Sequence, residues 1–297
     1  MGTAESAYAK AVNGHYAPGN LAARIREGLR AAGKEGAALA PADLAPVDQF
    51  HTGGWQATAE LAQLAELAQL AELAQLAELA QLAEVRSGLH VLDVGGGVGG
   101  AARYLASEYG CHVTVLDLTE AYCEAGEMLT ALTGLSEQVR FQVGDAQAMP
   151  FPDESFALVW TQHSTMNIPA KEKLFAEAHR VLRRGGRLAL HEIMAGNAPV
   201  IHFPVPWAAS PESSFLKTPE EMRTLIIGAG FHERVWEDVT ETALAWFQRR
   251  PAPPGDGPPP LGLHLLLGEV FPQTFQNTVL SLEEGRISVI RAVFERR

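Results

Sequence analysis

Residues 89–106 read LHVLDVGGGVGGAARYLA. Val91, Leu92 and Val94 form a short apolar run with β-branched residues that ends at glycine, the pattern of a buried strand. Five glycines follow, at 95, 96, 97, 99 and 100. Residues 101–107 then have helical composition. Strand, glycine turn and helix open a βαβ unit. The glycines let the main chain approach a ligand closely, and the helix start behind them offers unpaired N–H groups. Such a turn grips a nucleotide-like ligand.

Two ligands compete for it. Gly95-x-Gly97-x-x-Gly100 matches the dinucleotide fingerprint, with Asp117 at about the ~20-residue spacing of a ribose-binding acid. Asp93-x-Gly95-x-Gly97-x-Gly99 instead sets an acid before a staggered glycine run, and it resembles the first motif of class I S-adenosylmethionine-dependent methyltransferases. The resemblance implies that Asp93 lies near the amino-acid end of the cofactor, which carries an ammonium. A pyrophosphate is repelled by a carboxylate there, so Asp93 favours the second reading.

The composition bounds the rest. The chain has 297 residues, enough for one large domain or a domain with a cap, and 47% hydrophobic residues support a sizeable core. A net charge of −12 with no basic stripe argues against nucleic acid or an anionic membrane as partner. Two cysteines, Cys111 and Cys123, make no disulfide framework and suit a reducing cytoplasm. The first 20 residues lack the apolar core of a signal peptide, and no run of ~18 uncharged apolar residues is present to span a membrane.

The expected organisation is a helical N-terminal cap over 1–54, a long repeat helix over 55–85, and a Rossmann-like domain over 86–297 with a lid insertion at 195–218. In the cap, residues 20–32 read as a helix with Leu21, Ile25 and Leu29 on one face, stopped by Gly33 and Gly36. LAPVDQFHTGGW (44–55) reads as a connector whose Asp48, Gln49 and His51 either close over a cofactor or simply solvate a loop.

Residues 60–83 are four copies of ELAQLA, all strong helix formers, giving a rod of about 36 Å. Leucine recurs every three residues and so circles the helix, which leaves no continuous coiled-coil seam. A glutamate every six residues excludes a membrane span. Such a rod moves the cap far from its own domain. The cap then packs on a neighbouring subunit as a swapped homo-oligomer, or docks back through a loop.

Downstream, strands are expected at 112–119, 139–146, 156–167 (with its exit loop), 185–193, 231–240 and 286–297. Helices are expected at 121–133, 171–182, 219–228 and 270–284. The fold class is α/β: a Rossmann-like, seven-stranded, mostly parallel sheet with an antiparallel C-terminal strand. Residues 195–218 hold four prolines with Phe203, Trp207 and Phe215, and they follow a strand end that faces the ligand. PAPPGDGPPPLG (251–262) reads as a flexible or polyproline-like linker.

In open parallel sheets ligands bind beyond the carboxyl ends of the strands. Asp93, Asp117, Asp145 and Gln162-His163 stand at four such ends. With LDVGGGVGG, VTVLDLT, VGDAQAMPFPDESFALVW and RVLRRGGRLALHE in this order, residues 85–240 resemble the class I S-adenosylmethionine-dependent methyltransferases of small metabolites. These include the ubiquinone, menaquinone and tocopherol enzymes and the sarcosine and dimethylglycine N-methyltransferases. The resemblance implies S-adenosylmethionine as cofactor. It implies that Gly95, Gly97 and Gly99 line the methionine moiety, that Asp117 accepts both ribose hydroxyls, and that Leu118 flanks the adenine. It further implies that Asp145 and the Ala146 N–H meet the adenine edge, and that Gln162 and His163 sit near the sulfonium. Many relatives carry Cys where this chain has Gly96, a change that loosens the turn slightly.

Methyl transfer is an in-line displacement that the protein aligns and keeps dry. His163 is the candidate base, because imidazole titrates near neutrality. Its other reading is a hydrogen bond to the cofactor or loop. Asn167 is placed to orient a substrate oxygen and Trp207 to stack on a methylammonium. His191 and Glu192 end the fifth strand and face the same rim. No His/Cys/Asp/Glu cluster has metal-ligand spacing. The sequence favours N- or O-methylation of a small molecule. The alternatives are C-methylation of a quinol or phenol, a nicotinamide-dependent oxidoreductase, and a non-enzymatic scaffold that associates through the ELAQLA helix.

Overall fold

The computed structural model describes residues 7–16, 19–35, 38–67, 88–198, 200–249 and 258–297. Most of the ELAQLA hexads and most of the proline-rich 251–262 stretch lie outside the described residues.

Seven strands form one sheet: β1 (His90–Val94), β2 (His112–Asp117), β3 (Val139–Val143), β4 (Phe156–Gln162), β5 (Leu182–Ala195), β6 (Phe231–Asp238) and β7 (Ile287–Arg296). Their order is β3-β2-β1-β4-β5-β7-β6. β1 to β5 run parallel, while β7 is antiparallel to both β5 and β6. The chain moves outward from β1 through β2 to β3, then returns to lay β4 on the other side of β1. The carboxyl ends of β1 and β4 therefore flank the crevice where such sheets bind ligands.

Alternation along the strands supplies two cores. Leu92, Val94, Val159, Leu188 and Leu190 pack on one face with Leu174 and Phe175 of α7 (Lys171–Val181) and Ile226 of α8 (Pro219–Gly228). Val91, Val113, Val115, Leu158 and Trp160 pack on the other, with Leu105 of α5 (Gly100–Tyr109) and Leu61 of α4 (Gly54–Leu64). Thr218 accepts from the Glu221 N–H at 3.2 Å while Glu221 accepts from the Thr218 N–H at 2.9 Å, a reciprocal cap on α8. Among the described residues the longer remaining helices are α1 (Ala7–Tyr16), α2 (Leu21–Ala31), α3 (Pro41–Asp48), α6 (Glu120–Leu132), α9 (Thr240–Gln248) and α10 (Phe271–Glu283), with one further turn at His264–Leu267.

The cap docks on its own sheet domain. Leu21, Ile25 and Leu29 of α2 pack against Tyr122, Ala125 and Leu129 of α6. The buried Asp48 pairs with Arg103 of α5 at 2.8 Å, and Arg103 also donates to Thr130 at 3.0 Å. α5 starts so close beneath α3 that a Cβ on Gly100 would lie 2.1 Å from the Asp48 carbonyl oxygen.

Three expectations are corrected. The stretch read as a connector contains a helix end: Pro41 opens α3, where its missing N–H costs nothing, and Asp43 accepts from the Ala40 N–H at 2.9 Å. The repeat does not begin as an unbroken rod, because α4 stops at Leu64. There Arg187 donates to the Ala65 carbonyl and pairs with Glu66 at 2.7 Å, and Glu66 adopts φ +51°. The strand expected over 231–240 ends at Asp238, which accepts from the Thr240 N–H at 2.9 Å where α9 begins. Among the described residues no helix is long and apolar enough to cross a membrane.

Candidate active site

Beyond β1 the chain turns through Gly95, Gly97 and Gly99 at φ +66°, +57° and +81°, a region side chains disfavour. Gly95 N–H donates to the Leu116 carbonyl at 2.7 Å, and Gly97 N–H donates to Asp117 Oδ2 at 2.9 Å. Asp117 Oδ1 accepts from the Thr119 N–H at 2.8 Å. The ends of β1 and β2 are thus locked together around the Asp117 carboxylate, whose pKa burial pushes up against these backbone bonds.

The turn floors a cleft whose open space, counted to its mouth, is about 940 Å³. Asp93, Gly95, Gly97, Asp117, Leu118, Ala146, Gln162, His163, Asn167 and His51 all border it. Asp93 is buried, and a Cβ on Gly96 would sit 2.5 Å from its Oδ2, an oxygen with no hydrogen-bond partner. Burial, and after it the Asp117 charge, push the Asp93 carboxyl up to about 7. An unpartnered buried carboxylate at the floor of a cleft suits a cationic ligand and opposes a phosphate. The residues present therefore fit a sulfonium nucleoside with a free ammonium.

Two expected wall residues stand elsewhere. Gly99 is glycine for packing: a Cβ there would lie 2.6 Å from the Phe141 ring. Asp145 accepts from the Gln147 N–H at 2.8 Å and from its side-chain amide at 3.1 Å, and it does not border the cleft.

A second cavity, of about 560 Å³ counted the same way, opens off the first. Tyr16, Phe50, His51 and His163 border both. Its other walls are apolar and aromatic, including Met166, Ile193, Trp207, Trp246, Phe247 and Phe275, with no Asp, Glu, Lys or Arg among them. Residues 195–218 contribute Pro206 and Trp207, and Trp207 is buried there with its indole N–H donated to Ser214 at 3.0 Å.

Between the cavities stands a polar wall. Thr58 is 2.9 Å from His51 Nε2 and donates to Gln49 Oε1 at 3.0 Å and to Gln162 Oε1 at 3.2 Å; Trp160 also donates to Gln162 Oε1, at 3.0 Å. The rings of His51, His163 and His191 lie 5.1 to 6.2 Å apart, edge to face. Burial holds all three neutral, against the Gly54 carbonyl at His51 and with added charge from neighbouring groups at His163 and His191: His51 falls to about 4, His191 to about 3 and His163 well below its ordinary value.

His163 sits at φ +49°, a conformation few β-carbon residues adopt. Its N–H donates to the His191 carbonyl at 2.9 Å. Glu192 holds the turn that follows by accepting from Thr161 Oγ1 at 2.7 Å, Thr165 Oγ1 at 2.9 Å and Thr165 N–H at 3.1 Å. Lys171 donates to the carbonyls of Thr165, Ile168 and Phe215 at 3.0, 2.9 and 2.5 Å. Glu192 is therefore spent on the backbone that aims His163, not on the rim.

Asn167 is likewise spent. It accepts from Tyr16 OH at 2.9 Å and donates to the Trp207 and Ser213 carbonyls at 2.7 and 3.1 Å, bolting α1 and the 195–218 segment to the loop after β4. That leaves its amide no donor for a substrate oxygen. Lys171 and Arg103 escaped the sequence reading as site supports; an arginine inside the otherwise apolar GAARYLA helix was the available signal of a buried pair with Asp48.

Residues 92–190 match the family described as "Methyltransferase domain". The chain is 44% identical over 100 residues to the probable chloroplastic tocopherol O-methyltransferase of Oryza sativa subsp. japonica, covering 34% of this chain and 28% of that protein. It is 33% identical over 151 residues to the sarcosine/dimethylglycine N-methyltransferase of Halorhodospira halochloris, covering 51% and 54%. Both matches thus span well under two thirds of the relatives' length. The fold of geranyl diphosphate C-methyltransferase from Streptomyces coelicolor A3(2), solved with S-adenosyl-L-homocysteine, superposes with a TM-score of 0.63 at 16% identity over 100% of both chains. Glycine turn, strand order and sequence match together show residues 92–190 to be a methyltransferase domain on a Rossmann-like fold.

Proposed function

We propose that this chain transfers the methyl group of S-adenosylmethionine to a neutral, largely apolar small molecule through an O–H or N–H nucleophile. The observation that carries this is the uncharged aromatic cavity opening off the acid-floored cleft across His51 and His163. When bound, the cofactor supplies an electrophilic methyl on a sulfonium. Asp93 and the turn at Gly95 and Gly97 hold its amino-acid end, Asp117 its ribose, and Leu118 with Ala146 its base. The second cavity desolvates the acceptor and presents its nucleophile at the shared wall. A free amino acid has no cation there for its carboxylate, so an apolar phenol or amine suits the site better than sarcosine does.

His163 is the group in this reading that meets the acceptor. Thr52 N–H points at its Nδ1 from 3.4 Å, which favours the neutral ring with its proton on Nε2 and makes it an orienting donor before it is a base. Buried free Cys111 and Cys123 fit a reducing, cytoplasmic setting. The reading includes homo-oligomerisation through the ELAQLA segment. A dimeric mass by light scattering that falls to monomer when two hexads are deleted supports it, and a monomeric full chain removes it.

A screen of phenols, aliphatic amines and amino acids with methyl-labelled cofactor tests the whole. Label in apolar phenols or amines supports the proposal; label only in amino acids contradicts the acceptor class, and label in none contradicts the activity.

A further inference from the structure

We propose that His51 is the base of the transfer, its bare Nδ1 taking the acceptor's proton at the wall between the two cavities. The inference rests on the methyl-transfer reading above and names the proton acceptor that reading lacks.

An O–H or N–H acceptor keeps the electron pair of that bond as its new bond to the methyl carbon forms. The C–S pair leaves with sulfur, and one proton must find a lone pair. Among the described residues, the titratable side chains bordering the acceptor cavity are Tyr16, His51 and His163. Tyr16 is a neutral hydroxyl that already donates to Asn167 at 2.9 Å, and burial drives its pKa well above the ordinary value. His163 receives the Thr52 N–H on Nδ1 at 3.4 Å, so its own proton stands on Nε2. Its lone pair is taken, and it can donate but not accept.

His51 is the reverse case. Its Nε2 lies 3.0 Å from the Gly54 carbonyl oxygen, and a carbonyl can only accept. The neutral ring must therefore carry its proton on Nε2, where Thr58 Oγ1 also stands at 2.9 Å. The Thr58 hydroxyl is left free to donate to Gln49 Oε1 or Gln162 Oε1, at 3.0 and 3.2 Å. This network puts the lone pair of the ring on Nδ1. Among the described residues no group hydrogen-bonds to that nitrogen, and it is not sealed from solvent as His191 Nδ1 is. His51 borders both cavities, so a base on it lies where methyl donor and acceptor meet.

The step moves charge rather than creating it. The sulfonium becomes a neutral thioether as His51 becomes an imidazolium. Burial keeps the resting ring neutral, so its lone pair is available at pH 7. The neighbouring rings of His163 and His191, each 6.2 Å away, are held neutral as well. Loss of the adjacent positive charge raises the basicity of His51 during the transfer itself. The Gly54 carbonyl and the Thr58 oxygen, already on Nε2, then stabilise the imidazolium. Exchange with water removes the proton once the product has left.

The first test needs no turnover. Ring-15N spectra of the protein with S-adenosylhomocysteine should show His51 protonated on Nε2 and bare on Nδ1 at pH 7. A proton on Nδ1 overturns the proposal. The second test compares wild type with His51→Gln and His163→Gln on two phenols, using labelled cofactor. One is un-ionised at pH 7; the other is a nitrophenol already present as phenolate. His51→Gln should lose about 100-fold in kcat on the un-ionised phenol and keep the wild-type rate on the phenolate, which brings no proton. Its calorimetric affinity for S-adenosylhomocysteine should match wild type, which shows that it is folded. His163→Gln should treat the two phenols alike. Equal losses on both phenols in His51→Gln, no loss on either, or a selective loss in His163→Gln instead overturn the assignment while leaving methyl transfer standing. Failure of the wild type on every phenol and amine overturns the activity itself, so the two failures are distinct.

Discussion

Two cavities share one wall, and they are built in opposite ways. The cofactor cleft is floored by residues that directly follow consecutive strands: the turn after β1, Asp117 and Leu118 after β2, Ala146 after β3, and Gln162 and His163 at the end of β4. The aromatic cavity gathers side chains from residues 16, 50–52, 163–166, 193, 206–207, 246–247 and 263–278. One site is acidic and held by backbone hydrogen bonds, the other uncharged and held by packing. The first depends on local backbone chemistry and the second on tertiary assembly, so each side should fail in its own way when perturbed.

The largest effect is expected on the acidic side. Asp117→Ala removes a carboxylate that caps two backbone N–H groups and meets the ribose, and it should weaken S-adenosylhomocysteine binding about 100-fold by calorimetry. The acceptor KM, measured at saturating cofactor, should move little. Next comes the aromatic side: Trp246→Ala or Phe247→Ala should raise the KM for an apolar phenol roughly tenfold, consistent with ~1.4 kcal/mol per decade of affinity, with cofactor affinity unchanged. If either variant moves both constants equally, the two cavities are not separate binding units.

Asp93→Asn sharpens the contrast through protons. The Asp93 carboxyl, raised to about 7, is largely protonated in the free protein at pH 6, and a cation arriving beside it expels that proton. Binding heats in buffers of different ionisation enthalpy should reveal proton release at pH 6 that vanishes at pH 8.5 and is absent from the variant. Because the folded pKa lies above the unfolded one, the Asp93 penalty is absent below about pH 4, grows with rising pH and is complete above about pH 7. Asp93→Asn should therefore raise Tm at pH 8 and leave it unchanged near pH 4.

A further effect lies on the acid side of the stability curve. His51 and His191 have folded values near 4 and 3, below the unfolded imidazole, so their contribution is present above about pH 6.5 and is lost as pH falls toward those values. For His51 alone this amounts to roughly 3 kcal/mol. His51→Gln should flatten the fall in stability between pH 6.5 and 4, read by denaturant titration. An unchanged slope would mean that the ring is not held neutral in the fold.

The sheet and the cleft were legible because period-two apolar runs, glycine turns and strand-end acids are local signals. The seven strands and the antiparallel return of β7 follow from them. Asp145 bonds Gln147 and Gly99 packs beneath Phe141, contacts that nearness in sequence to a rim does not reveal. Asn167 borders the cleft and Glu192 lies buried behind it, and their partners belong to distant segments that no spacing reveals. The aromatic cavity was foreseen in His51, His163 and Trp207 but not in Trp246, Phe247 and Phe275, which meet through tertiary packing of α9 against α10. Two prolines concealed α3, because one of them occupies a helix start where proline is tolerated.

A crystal structure of the protein with S-adenosylhomocysteine bears most directly on the joint between the two cavities. The account predicts the nucleoside in the cleft with its ribose on Asp117, its ammonium by Asp93, and its sulfur turned toward His163 and the aromatic cavity. A nucleoside bound elsewhere, or a sulfur facing away from that cavity, would contradict it.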